Sequence, residues 1–197
     1  MTKAEWRTEA RLASHTMRTA TSVPSTTDRL NVRAFRAEDA DVITQWVGSK
    51  EDLRWLAPGT PPPLTAEGVR AWRKPGGHAF VLSESVASDP IGYGELNPMR
   101  ADPGHWWLGH MIVRGDKRGR GIGHAFLIAL LDRAFGDLGA DRVSLVVFPG
   151  NHAAIGCYRR NGFTPASEEY HRIGNQTAAH RLLRMEIRRA THSGGVT

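Results

Sequence analysis

The stretch that decides the fold is Arg118-Gly119-Arg120-Gly121-Ile122-Gly123. An apolar run with the character of a β-strand precedes it, and the segment from His124 to Gly136 has the spacing of an amphipathic helix. A glycine-rich turn that opens a helix presents unpaired backbone N–H groups and the positive end of the helix dipole. Such a turn binds phosphate oxygens, and glycine lets the backbone approach a ligand closely. The sequence therefore predicts a pyrophosphate site.

Two common nucleotide-binding loops do not match this turn. A Walker A loop needs Gly-Lys-Ser or Gly-Lys-Thr after its glycines, and neither follows here. A dinucleotide fingerprint needs glycine or alanine at the last position of Gly-x-Gly-x-x-Gly, where this chain has His124. The turn matches the pattern Arg/Gln-x-x-Gly-x-Gly instead.

A second motif lies downstream of the turn. A segment rich in β-branched residues, from Asp141 to Phe148, is predicted as a strand. It leads into Asn151-His152-Ala153-Ala154-Ile155-Gly156-Cys157-Tyr158-Arg159-Arg160-Asn161-Gly162-Phe163. With both motifs in this order and at this separation, the chain resembles the GNAT N-acetyltransferase family. The resemblance covers about residues 30–188 and is most specific over residues 106–163.

The resemblance implies a mixed α/β (α+β) GNAT fold, with a largely antiparallel central sheet and helices on both faces. Hydrophobic periodicity predicts strands at 30–35, 78–84, 91–97, 106–113, 141–148, 164–173 and 180–187. It predicts helices at 37–48, 50–56, 66–72 and 124–136, with Thr65 as the N-cap of the third. We expect one acetyltransferase domain at residues 29–190, between flexible tails at 1–28 and 191–197.

Length and cysteine usage narrow the class of protein. The chain has 197 residues, enough for one domain with a sizeable core. No apolar run approaches the roughly 18 residues that span a bilayer, and the first thirty residues lack the apolar core of a secretory signal. Cys157 is the only cysteine, so an intramolecular disulfide is impossible and a cytoplasmic location is expected. Cys157 itself is predicted as a buried helix residue rather than a nucleophile.

The net charge of +6 raises the possibility of nucleic-acid binding. The arginines are scattered, however, and no basic run is interleaved with stacking aromatic residues. Part of the positive charge surrounds the glycine turn, where it suits an anionic ligand. The charge pattern therefore disfavours a nucleic-acid partner. We also expect no metal and no membrane partner, and a homodimer is possible.

The family resemblance implies acetyl-CoA as the acyl donor. The strand before the turn is expected to splay from its neighbour, so that the backbone of Met111, Ile112 and Val113 receives the pantetheine arm and the thioester carbonyl. Asn151 would hydrogen-bond the same arm, although an N-cap of its own helix is the alternative. The pyrophosphate would lie on the turn, on the residues Arg118, Gly119, Arg120, Gly121, Ile122, Gly123 and His124.

The catalytic acid implied by the resemblance is Tyr158. It follows Asn151 by seven residues, about two helical turns, so both side chains share one face. A phenol with a pKa of about 10 protonates a thiolate of about 8.5 only somewhat uphill, so close hydrogen bonding matters more than acidity. A buried tyrosine whose hydroxyl is bonded elsewhere is the alternative.

The general base has two candidates. Glu95 lies on a predicted central strand, where alternation places it on one face with Tyr93 and Asn97. His110, beside the predicted splay, has the more suitable intrinsic pKa. A solvated strand carboxylate, or an ion-pair partner of an arginine, is an equal alternative for Glu95.

The predicted activity is acetyl transfer from acetyl-CoA to a primary amine by direct attack in a ternary complex. The acceptor is an aminoglycoside-like amine, a polyamine, an amino-acid derivative or a protein N-terminus. For a cationic antibiotic the cleft should be acidic, and the candidate residues are Glu51, Asp52, Glu67 and Asp102. The alternative from another class is a non-catalytic CoA-binding regulatory module.

Overall fold

The computed structural model describes residues 30–174 and 177–189. The tails predicted at residues 1–28 and 191–197 lie outside this part of the chain, so the domain limits stay a prediction. Within it, the strands are β1 (Asn31–Ala34), β2 (His78–Ser83), β3 (Pro90–Pro98), β4 (His105–Val113), β5 (Arg142–Val147), β6 (Thr164–Arg172) and β7 (Ala179–Arg188).

All seven strands form one sheet, in the order β1-β2-β3-β4-β5-β7-β6. Five of the neighbouring pairs are antiparallel, and β4 and β5 alone among these strands run parallel. The predicted mixed, largely antiparallel sheet is therefore confirmed.

The helices lie close to where periodicity predicted them. They are α1 (Asp39–Thr44), α2 (Lys50–Leu56), α3 (Ala66–Trp72), α4 (Ile122–Asp132) and α5 (His152–Arg160). Thr65 caps α3, since its hydroxyl accepts a hydrogen bond from the Gly68 amide at 3.1 Å. Helix α4 ends earlier than predicted, because the backbone widens into a π-helical turn over Arg133–Asp137.

Helix α1 is shorter than the predicted 37–48. The Asp39 carboxylate accepts hydrogen bonds from the Arg36 amide and from the Arg33 guanidinium, each at 2.7 Å. These bonds close a turn at residues 37–38 ahead of the helix. At the other end, the amides of Gln45 and Trp46 donate to carbonyls three residues back, so the α-helical pattern ends at Thr44. The local contact overrides the longer apolar pattern.

The two larger hydrophobic cores lie on opposite faces of the sheet. Helices α4 and α5 contribute Phe126 and Ile155 to one core, and helices α1 and α3 contribute Ile43 and Val69 to the other. Adjacent strand residues divide between the two cores, as the alternation of a strand requires. Helices on both faces were predicted, and the structure confirms them.

The sheet opens between β4 and β5. The two strands pair only where His105–Trp107 meets Arg142–Ser144, although β4 continues to Val113 and β5 to Val147. Beyond Trp107 and Ser144 the strands diverge, which confirms the predicted splay.

The opposite edge of β4 carries a bulge. On β3, Tyr93 pairs with Ile112 and Glu95 with Gly109, so one β3 residue faces both His110 and Met111. His110 has a φ of 44°, in the left-handed region that residues other than glycine rarely adopt. The bulge therefore sets the direction of the side chains next to the splay.

Candidate active site

A cleft of about 500 Å³ opens where β4 leaves β5. Its walls come from the end of β4, the glycine turn, the first turns of α5, and helix α2. Helix α2 belongs to the core on one face of the sheet through Leu53, and α5 belongs to the other through Ile155. The cleft thus connects the two faces at the splay. The predicted residues on its walls are Met111, Ile112, Val113, Arg118, Gly119, Gly121, Gly123, His124, Asn151 and Tyr158.

The glycine turn leaves a row of backbone donors free. Gly119 and Gly121 have φ values of 76° and 79°, and Gly121 is the N-cap of α4. Among the described residues, the amides of residues 119–124 have no hydrogen-bond acceptor. A β-carbon on Gly121 would meet nothing within 4 Å. The glycine is therefore required by backbone conformation and not by close packing of the helix on the sheet.

The charged and titratable side chains of the turn differ in their position relative to the cleft: Arg118 and His124 line it, and Arg120 does not. Arg118 Nε donates to the Val113 carbonyl at 2.8 Å, which ties the turn to the end of β4, and its Nη1 lies 3.5 Å from Asp52. Arg120 is exposed and lies off the cleft wall. His124 lines the cleft, and its buried Nδ1 has no hydrogen-bond partner among the described residues.

The side chain of Ile122 points away from the cleft. It is buried in the core beneath α4, so only its backbone amide is available to a ligand at the turn. Apart from Ile122 and Arg120, the predicted residues of the turn line the cleft.

Asn151 both caps α5 and lines the cleft. Its Oδ1 accepts a hydrogen bond from the Ala154 amide at 3.2 Å, so the N-cap interpretation is correct. The Asn151 side chain retains its NH₂ group for a ligand. Tyr158 lines the same cleft two turns later, as the spacing along the helix predicted.

Tyr158 packs against Phe163 with a ring-centroid distance of 5.8 Å. Burial raises the pKa of its phenol well above the ordinary value, and the neighbouring thiol of Cys157 adds to the shift. In the described part of the chain the hydroxyl has no hydrogen-bond partner, so the alternative of a phenol bonded elsewhere finds no support there. Tyr158 therefore presents a protonated phenol to the cleft.

Cys157 is a helix residue, as predicted, but it is only half-buried and lines the cleft, so the prediction that it is buried was wrong. It sits beside Tyr158 on the part of α5 that faces the opening. Burial raises the pKa of the Cys157 thiol, which disfavours the thiolate.

Glu95 is buried in the sheet, with only 1% of its side chain exposed. Tyr93 Oη donates to its Oε1 at 2.5 Å, and Asn97 Nδ2 donates to its Oε2 at 3.2 Å. Burial by itself raises the pKa of Glu95, but the contacts with His110, Tyr93 and Asn97 outweigh it and hold the pKa below its ordinary value. The alternative of a solvated carboxylate was therefore wrong, whereas the shared face with Tyr93 and Asn97 is confirmed.

His110 lies directly beside this carboxylate. Its Nδ1 is 3.2 Å from Glu95 Oε2, and a quarter of its side chain is exposed. The imidazole stacks on the indole of Trp72, with the ring centroids 4.6 Å apart and the planes 12° from parallel. The sequence offered no signal for this stacking, because Trp72 comes from α3, far from His110 along the chain.

The acids expected around an antibiotic-like acceptor do not gather in the cleft. Asp52 alone among the four candidates lines it. Asp102 pairs with Arg142 and lies 3.3 Å from His105, at the other end of β4. Glu51 and Glu67 are exposed in the first turns of α2 and α3. Helix α2 adds Trp55 and Leu56 to the walls beside Asp52.

Residues 30–174 and 177–189 offer neither a metal cluster nor a membrane-spanning helix. No cluster of histidine, cysteine, aspartate or glutamate there has the arrangement of a metal site. None of the helices is long and apolar enough to cross a bilayer.

Comparisons with known proteins agree with this geometry. The family model of the GNAT acetyltransferase domain matches residues 29–164. Aminoglycoside N(6')-acetyltransferase type 1 of Klebsiella pneumoniae is 22% identical over 158 residues, which are 72% of this chain and 77% of that protein. L-methionine sulfoximine/L-methionine sulfone acetyltransferase of Pseudomonas aeruginosa is 31% identical over 106 residues, which are 51% of this chain and 61% of that protein.

A solved structure shares the fold. Spermidine N-acetyltransferase of Vibrio cholerae, in complex with CoA and spermine, superposes with a TM-score of 0.69 at 17% identity, over 83% of this chain and 98% of that chain. The family model covers well over half of this sequence and includes β4, the glycine turn and α5. The chain therefore belongs to the GNAT family of acetyltransferases, which use acetyl-CoA as the acyl donor.

Proposed function

We propose that this protein transfers the acetyl group of acetyl-CoA to a primary amine of a small molecule, by direct attack in a ternary complex. The observation that carries the proposal is the cleft at the splay, which is reached from both faces of the sheet. A donor bound along α4 and α5 and an acceptor on the side of α2 would meet in the gap. Neither would have to leave before the other binds.

The residues present fit acetyl-CoA. Free amides at residues 119–124, at the N-terminus of α4, suit its pyrophosphate. The apolar walls formed by Met111, Ile112 and Val113 suit the pantetheine arm, and Asn151 offers an amide NH₂ group beside it. When bound, acetyl-CoA supplies an activated acyl carbon and a thiol leaving group.

Tyr158 is the proposed general acid. Its pKa lies above the ordinary phenol value because the partly buried side chain is desolvated, so the hydroxyl carries its proton throughout the physiological range. A phenol of such high pKa acts by hydrogen bonding to the developing thiolate and releases its proton late. The proposed general base is either Glu95 or His110, whose side chains lie beside each other.

The acceptor class is argued from relatives and from the cleft. The names and complexes of the relatives above include aminoglycosides, methionine sulfoximine and spermine, which all carry a primary or terminal amine. On the cleft wall of this chain, Asp52 and Trp55 lie one helical turn apart. A carboxylate beside an aromatic face suits an ammonium group, and this favours a small cationic amine.

The test measures CoA binding by calorimetry and amine-dependent release of CoA. The panel is spermine, ribostamycin, L-methionine sulfone and a peptide with a free N-terminus. Tight CoA binding, release with at least one small amine, and a large loss of kcat in Tyr158→Phe support the proposal. Binding without release from any amine would favour the regulatory module, and release with the peptide alone would overturn the small-molecule assignment.

A further inference from the structure

We propose that His110 and Glu95 are not alternative bases but one dyad, which deepens the proposed function and rests on it. In this dyad His110 takes the proton of the acceptor amine, and it is the catalytic base. Glu95 is a positioning residue, which orients the imidazole from beneath and does not contact the substrate.

The contact between the two residues sets the state of the imidazole. Nδ1 of His110 lies 3.2 Å from Oε2 of Glu95, within ion-pair distance but without the geometry of a hydrogen bond. An ionised carboxylate carries only lone pairs and would repel a second lone pair facing it at this distance, so the proton of a neutral imidazole is on Nδ1. Nε2 keeps its lone pair, and among the described residues it has no hydrogen-bond partner.

Glu95 cannot take this role itself. Its side chain is 1% exposed, and both of its oxygens already accept hydrogen bonds, from Tyr93 and from Asn97. Those bonds stabilise the carboxylate and make it a weak base. A substrate ammonium has no route to it except through His110.

Two further features hold His110 in place. The indole of Trp72 lies flat against one face of the imidazole. The backbone at His110 has a φ of 44° in the bulge of β4, a conformation that costs about 1 kcal/mol or more in a residue other than glycine. Backbone, indole and carboxylate together leave the ring little rotational freedom, as a positioned base requires.

The position of His110 along β4 places it beside the cleft. His110 is not part of the cleft wall, but it immediately precedes Met111, the first β4 residue on that wall. The pairing of β4 with β5 has already ended at Trp107, so the sheet is open at the level of His110. The face that carries Trp72 and Tyr93 is the face of α1 and α3, opposite the core beneath α4.

The proton movements balance. His110 Nε2 removes one proton from the acceptor ammonium, and the freed amine forms a C–N bond to the thioester carbon. As the C–S bond breaks, the sulfur keeps the bonding electrons and takes the Tyr158 proton. The amide nitrogen loses its surplus proton to solvent, His110 gives its proton to solvent, and Tyr158 is reprotonated from solvent.

Few charged groups face His110. From β3 they are Glu95 and Tyr93, and the pKa of the Tyr93 phenol is raised by burial and by the Glu95 carboxylate. From α3, Arg73 acts on the same phenol with a weaker, opposite effect. Glu95 is therefore the negative charge in contact with the imidazole of His110.

The experiment uses the full chain, with the amine from the panel that is turned over fastest. His110→Gln is expected to lower kcat about a hundredfold or more, since a positioned base contributes 10²–10⁴. Glu95→Gln, of nearly the same shape, is expected to lower it about tenfold. CoA affinity and Tm are measured for each variant, with His78→Gln, an exposed histidine on β2, as the matched control.

A double variant separates positioning from structural support. If Glu95 acts through His110, Glu95→Gln has almost no further effect on kcat in the His110→Gln background. Additive losses would overturn the dyad, and so would a His110→Gln enzyme that keeps wild-type kcat. Tyr93→Phe serves as a second probe of the network if Glu95→Gln proves unstable, and it should lower kcat by less than Glu95→Gln.

The pH profile supplies a readout that a structural role would not move. If His110 takes the substrate proton, the acid limb of kcat/KM is lost in His110→Gln, and Glu95→Gln lowers kcat while KM stays unchanged. An acid limb that persists in His110→Gln, or a loss carried by KM in Glu95→Gln, would contradict the dyad. If instead the wild-type protein releases CoA with none of the amines, the proposed function itself fails, and the dyad fails with it.

Discussion

The glycine at position 121 makes a sharp test of the phosphate site. Its φ of 79° lies in the left-handed region, and a β-carbon there would meet nothing within 4 Å. Gly121→Ala therefore causes no clash within the protein. The conformation alone costs about 1 kcal/mol, which lowers the Tm of a protein of this size by about 2–4 °C.

The effect on binding should exceed the effect on stability. Gly121 lines the cleft and caps α4, so an added methyl group occupies the space through which a phosphate approaches the free amides. Loss of one charge-assisted hydrogen bond costs about 1.5–3 kcal/mol. CoA affinity should therefore fall about ten- to a hundredfold.

A matched control lies at the far end of the same helical segment. Gly139 has a φ of 66°, and a β-carbon there also meets nothing within 4 Å, but the residue is not part of the cleft. Gly139→Ala should show the same fall in Tm and unchanged CoA binding. Gly123→Ala is a second comparison, since Gly123 lines the cleft without a left-handed φ.

Calorimetric titration with CoA and thermal unfolding of the three variants test whether the pyrophosphate binds at this turn. Equal CoA affinity in Gly121→Ala and Gly139→Ala would refute the assignment of the pyrophosphate to this turn. A large fall in affinity for Gly121→Ala, with equal Tm values in the two variants, would separate ligand binding from backbone strain.

Three further predictions address the acid, the cleft and the fold. Tyr158→Phe should lower kcat about a hundredfold while CoA affinity changes less than about threefold, and Tyr170→Phe, on a tyrosine that is 68% exposed, should change neither. Cys157 should react slowly with a thiol reagent below its raised pKa and more slowly still with CoA bound, which mass spectrometry follows; equal rates with and without CoA would contradict its place in the cleft. Burial raises the pKa of Asp39, but the hydrogen bonds from Arg33 outweigh it and keep the pKa below the ordinary value, so the stability from this pair is present above about pH 4 and is lost as the pH falls through the folded-state pKa. Asp39→Asn should cost about 1–3 kcal/mol at pH 7 and much less near pH 2, as measured by urea unfolding.

The donor side of the site could be predicted because its signals are local. Glycines at 119, 121 and 123, followed at once by helical periodicity, define a turn whose free amides depend only on neighbouring residues. The same holds for the capping side chain of Asn151 and for its spacing to Tyr158 along one helix. The order of strands and helices along the chain could be predicted for the same reason, because hydrophobic periodicity is also a local signal.

The acceptor side could not be predicted, because its contacts are distant along the chain. Sequence alternation placed Glu95 on one face with Tyr93. It did not distinguish a solvated carboxylate from a catalytic base. The bulge in β4 turns His110 toward that carboxylate, and a bulge is set by the pairing of two strands. Trp72 arrives from α3, which packs on the sheet only when the core beneath it forms.

The sequence by itself determined the family, the order of the elements and the phosphate-binding turn, because each depends on residues that are close together along the chain. Only the tertiary structure decided that the two candidate bases touch, that the cleft is reached from both faces of the sheet, and that helix α2 lines it. The physical reason is that burial, strand register and the end of β4–β5 pairing are properties of the assembled sheet, and no short segment of the chain contains them.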